Sequence, residues 1–132
     1  MPFFYEFEKR EFVRVAAAVP VEYKFVSLDP AVQVPEGRHK GRTRNLGSGG
    51  ILLAGALPEP DLISGLLMHK VALIIRVFLP DEPEPVQAIA RVAWIESVSQ
   101  SDRQCSFGLC FREITSEAQN LLFRFIIDTQ IG

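Results

Sequence analysis

The chain has 132 residues, 48% of them hydrophobic, a size and composition suited to one domain with a buried core. Lys and Arg number 14 against 16 Asp and Glu, a net charge of −2, which argues against a general polyanion binder, because nonspecific nucleic-acid binding draws on a basic face. A small local basic pocket stays open.

Residues 1–11, MPFFYEFEKRE, form an aromatic and charged lead-in with Phe3, Phe4, Tyr5 and Phe7. Its charges interrupt any secretory pattern, and no apolar run in the chain nears the roughly 18 residues of a membrane span. A cytoplasmic protein without membrane insertion is expected. From Val13 to Phe25 the odd positions read Val, Val, Ala, Val, Val, Tyr, Phe, and the even ones include Arg14, Glu22 and Lys24. That period of two predicts one long strand with one buried face, and Pro20 marks an edge or bulge. Arg10 and Arg14 share parity, so both are expected on the outer face.

Residues 27–41, with Pro30, Pro35, Gly37 and Gly41, read as a connection. A basic group follows: Arg38, His39, Lys40, Arg42 and Arg44. It leads into Asn45-Leu46-Gly47-Ser48-Gly49-Gly50, a glycine loop before a short strand at Ile51–Ala54. Leu57–Gly65, with Pro58 and Pro60, reads as a loop. Lys70–Leu79 is a nearly continuous apolar strand covered on both faces. PDEPEP at 80–85 is a turn, whose Asp81, Glu82 and Glu84 belong in solvent. Val86–Val98 alternates, with Val86, Ala88, Ala90, Val92 and Trp94 on one face and Gln87 and Arg91 on the other. Ser99–Gln104 is a polar turn, and Cys105–Phe111 alternates again. Cys105 and Cys110 are five apart, on opposite faces of a strand, with neither a zinc spacing nor a disulfide framework. Over 115–129 the period changes: Ala118, Leu121, Leu122, Phe125 and Ile126 follow helical spacing, and Ser116 with Gln119 makes a capping box. About six mostly antiparallel strands and a terminal helix predict a β-barrel or sandwich with a helix packed on it.

Chemistry-bearing motifs are few. His39 and His69 lack any metal-ligand pattern. Ser48 is not in a nucleophile elbow, and the glycine loop is neither a P-loop nor a Rossmann fingerprint. No enzyme is expected, and no metal or cofactor. Same-face arginines, a glycine loop and an Asx residue in a net acidic chain point instead to one compact anion pocket. Arginine suits a nucleotide: its planar fork matches phosphate oxygens or the O6 and N7 edge of guanine, and it stacks on a purine. A single-strand nucleic-acid barrel would need a basic groove with stacking aromatics, which the net acidity opposes.

The order KRxxxR, long strand, NLxxGG, apolar strand, RVAW, FGLCF and terminal helix resembles the PilZ domain family, from about Lys9 to Ile127. The resemblance implies a six-stranded antiparallel β-barrel with a C-terminal helix, spanning 1–132 as one domain. It also implies a non-catalytic receptor for the bacterial second messenger cyclic di-GMP. In the family an RxxxR segment and a [D/N]xSxxG segment carry the ligand. Arg10 and Arg14 match the first motif, and Lys9 a position that is often basic. Asn45 and Gly50 match the second. Gly47 stands where the family has serine, so one hydroxyl donor is missing and weaker binding is expected. Arg44 and Arg91 are further candidate contacts. On this reading the lead-in with Arg10 is flexible and folds over the ligand. The chain, too short for an output domain of its own, signals to a protein partner. The alternative is a degenerate PilZ domain that binds proteins and no nucleotide.

Overall fold

The computed structural model describes residues 14–99 and 103–131. Lys9, Arg10 and the aromatic lead-in lie outside them. The chain runs β1 (Arg14–Ala16), β2 (Pro20–Ser27), β3 (His39–Gly47), β4 (Gly50–Ala56), α1 (Leu62–Leu67), β5 (Val71–Val77), β6 (Val86–Ser99), β7 (Gln104–Ile114) and α2 (Ser116–Ile131). All strand pairs are antiparallel, in the order β3-β2-β5-β6-β7-β4, and β4 returns to β3. Six strands thus close into the expected barrel, and β1 is a seventh segment beside β3.

The long first strand is broken at residues 17–19, and both halves pair with β3: Arg14–Ala16 opposite Gly47–Asn45, and Pro20–Tyr23 opposite Arg42–His39. Thr43, buried at 2% exposure, fills the gap. Its hydroxyl accepts from the Val19 N–H at 2.9 Å and donates to the Ala17 carbonyl at 2.5 Å. The side chain replaces ladder bonds that the break removes, as buried backbone groups require. The parity survives: Val15, Val19, Val21, Tyr23 and Phe25 are buried.

Tyr23 fills the barrel interior. It is fully buried, its ring packs near Phe25, Phe107 and His39, and its hydroxyl donates to the Ala56 carbonyl at 2.7 Å. Gly55 makes room, because a Cβ there would run into Tyr23, while a Cβ on Gly41 would strike the Ala54 carbonyl of the paired strand. Desolvation by burial pushes the phenol up to about 12.

Other expectations change as well. Leu57–Gly65 is not all loop: α1 begins at Leu62 and buries Leu62, Gly65 and Leu66. Its end is a left-handed cap at His69 (φ 60), whose N–H donates to the Leu66 carbonyl (3.2 Å) while that of Lys70 donates to Gly65 (2.8 Å), the Schellman pattern. And Trp94 does not join Val92 inside. A bulge between Val92 and Trp94 resets the parity and turns Trp94 outward, 44% exposed.

α2 packs Ala118, Leu122 and Ile126 against the barrel beside β1, β3 and β6. Its cap is Thr115 rather than Ser116, since the Thr115 hydroxyl accepts from the Ala118 N–H at 3.1 Å. Gln119, expected to close a capping box, instead donates its side-chain amide to the Ser48 carbonyl at 3.0 Å. The helix thereby holds the glycine loop.

Candidate functional site

The outer surface over β1, β3, β4, β7 and β6 carries most of the predicted residues. Inward positions along these strands are Val15, Leu46, Ile51, Leu53, Phe107, Leu109 and Val92, all buried. Strand alternation therefore turns Arg14, Asn45, Leu52, Gly108 and Arg91 outward. Arg14 stands directly opposite Gly47 across the β1–β3 pair. Asn45 lies in one cross-strand row with Leu52, Gly108 and Trp94. The indole sits over Gly108, where a Cβ would collide with its ring. A flat row results, with an amide at one end and an aromatic face at the other.

A bulge between Thr43 and Asn45 gives β3 one extra residue, Arg44. Arg14, Arg42 and Arg44 are exposed there. Among the described residues the ion pairs are Arg38 with Glu22, Arg76 with Glu22 and Lys70 with Asp29, so none of these three arginines is neutralised. Asn45 is half-buried, and its Oδ1 is sealed from solvent without a hydrogen-bond partner among the described residues. A buried acceptor without a donor is costly, and a ligand N–H would relieve it.

The glycines of the loop differ in what they do. At Gly50 a Cβ would strike the Leu109 carbonyl, so the β4–β7 approach alone demands glycine there. Gly47 is a buried strand residue, and the glycine with positive φ among the described residues is Gly37, not Gly47. Lys9 and Arg10 fall outside the described residues. Arg91 is not gathered with the others: it is in a different cross-strand row, opposite Cys110 and Gly50, and lines a separate cavity with Arg112 and His69. Trp94 was missed as a surface residue because unbroken alternation placed it inside. The signal that could have revealed it is Gly108, a residue without a side chain in an otherwise well-filled strand.

The PilZ domain model matches residues 8–128. Among solved structures, the Bacillus subtilis inhibitor of motility MotI/DgrA is 21% identical with a TM-score of 0.66, over 92% of this chain and 51% of that one. The chain thus spans about half the length of that protein. The PilZ domain of Escherichia coli YcgR, solved with c-di-GMP, is 13% identical with a TM-score of 0.58, over 91% and 90% of the two chains. The PilZ domain of CeSA from a cellulose synthesizing bacterium is 19% identical with a TM-score of 0.52, over 89% and 97%. At these identities the likeness concerns the fold. No curated protein matches the chain. A closed six-stranded barrel with a C-terminal helix, matched by the family model along nearly its whole length, makes this chain a member of the PilZ domain family.

Proposed function

We propose that the chain is a non-catalytic receptor for cyclic di-GMP, bound on the outer face at Arg14, Asn45 and Gly47. The observation that carries this is the Asn45 Oδ1, a solvent-sealed acceptor without a donor among the described residues, set among arginines that those residues leave unpaired. Guanine offers N–H donors to such an oxygen, and phosphates suit the guanidinium of Arg14. The Trp94 face at the far end of the row can take a second planar group or a ribose. Arg44 lies within the same surface, and Arg10 with Lys9 precedes it by a few residues. An anion drawing Arg10 and Arg14 together would reposition the residues before β1, and that change would be read by a protein partner.

Calorimetric titration of the chain with cyclic di-GMP is the test. Saturable heat is expected, with a change in the fluorescence of Trp94, the sole tryptophan. Arg10→Ala with Arg14→Ala should abolish both signals and leave the far-ultraviolet circular dichroism unchanged. Silence at high-micromolar ligand would sink the receptor reading. It would leave the alternative, an interaction module without nucleotide, which the missing hydroxyl at Gly47 favours.

A further inference from the structure

A second cationic cavity lies apart from the glycine-loop face. It measures about 410 Å³ and is lined by Leu28, His69, Val71, Ala72, Arg91 and Arg112. Arg91 comes from the middle of β6 and Arg112 from β7, beside the bulge opposite Ile89 and Ala90. Both guanidinium groups are without an ion pair or hydrogen bond among the described residues. Among the described residues no carboxylate lines the cavity. The acidic residue next to Leu28, Asp29, is engaged by Lys70 at 3.9 Å, so it does not answer the arginines. Two unanswered guanidinium groups over an apolar floor of Val71 and Ala72 are an unusual allocation in a chain of net charge −2.

His69 adds an independent observation. It occupies the left-handed cap of α1, a position that glycine fills without steric cost and that other side chains fill under strain. The strain is accepted, and the imidazole that comes with it lines the same cavity as the two arginines. Backbone strain of this kind concentrates at binding sites.

We infer that Arg91, Arg112 and His69 form a second anion site that binds a phosphate group carried by a small molecule, separate from the face around Asn45. The arginines supply forked donors that match phosphate oxygens, and the imidazole N–H supplies a third direction. Leu28, 46% exposed, leaves room for a small apolar body at the rim.

Inorganic pyrophosphate is a suitable probe, titrated into the full chain and followed by calorimetry and by amide chemical shifts. Saturable binding is expected, with shifts at Val71 and Ala72. Arg91→Gln with Arg112→Gln should weaken it by tenfold or more, since each charge-assisted bond is worth roughly a factor of ten. His69→Gly, which relaxes the cap and cannot unfold it, should weaken binding several-fold. In Arg14→Ala the shifts at Val71 and Ala72 should persist. Absence of binding at millimolar pyrophosphate overturns the inference, as does undiminished binding in the double arginine variant. Loss of binding in Arg14→Ala, or shifts confined to the β3–β4 hairpin, would move the anion to the glycine-loop face and also overturn it.

Discussion

At the scale of single residues, Tyr23 and Gly47 make opposite kinds of statement. The Tyr23 phenol titrates near 12 in the folded chain and near 10 when exposed, so the folded state holds the proton more tightly. Its stabilisation is complete below pH 10 and is lost as pH rises from 10 through 12. The two-unit difference corresponds to roughly 2–3 kcal/mol. Urea midpoints measured across that range should fall for the native chain. In Tyr23→Phe this part of the fall should vanish, at a baseline cost of about 1 kcal/mol for the stranded Ala56 carbonyl. Gly47 is a deficiency rather than an asset. Its φ is not left-handed and it lies opposite Arg14, so a side chain brings no backbone strain. Gly47→Ser is expected to tighten cyclic di-GMP about tenfold, the worth of one hydrogen bond to a charged group. Equal affinity in a folded Gly47→Ser protein would refute the account of the missing hydroxyl.

At the scale of elements, alternation is legible wherever strands keep their register and fails where a bulge intervenes. Val21, Tyr23 and Phe25 are buried as their parity demands, and so are Val86, Ala88, Ala90 and Val92. Trp94 is not, because one extra residue in β6 shifts everything after Val92, and no local feature of RVAW marks the insertion. α1 was hidden for another reason. Six residues give less than two helical turns, and Gly65 reads as a breaker although it serves close packing against Val71. The break at 17–19 has no sequence mark beyond Pro20, since its repair comes from Thr43, far along the chain. Thr43→Val removes both bonds of that repair and strands the Val19 N–H and the Ala17 carbonyl in the interior. A loss of roughly 2–4 kcal/mol is expected in urea unfolding. Cyclic di-GMP titration of the same variant should show weaker binding, because Thr43 holds the strand that presents Arg14.

For the whole molecule, the barrel separates what stabilises from what binds. The interior is filled by apolar side chains, with Tyr23, Thr43 and Ser106 buried among them, and the exterior of the β1–β3–β4–β7–β6 surface carries Arg14, Arg42, Arg44, Asn45 and Trp94. The gross fold was readable from strand parity and order, whereas the grouping of Arg14 with the Asn45–Gly50 loop came with the resemblance to the PilZ family; the structure sets Arg14 opposite Gly47. The separation of Arg91 from that group was not readable, because it depends on the position along β6: Trp94 falls in the Asn45 row, while Arg91 lies in the row of Cys110 and Gly50. The break in the first strand has one further consequence. Every strand of the six-stranded ring has a partner on both sides, so among the described residues the outermost segment is β1, three residues long. Such a segment offers too little ladder to recruit a neighbouring chain. Among the described residues, edge-to-edge addition of another chain is therefore disfavoured.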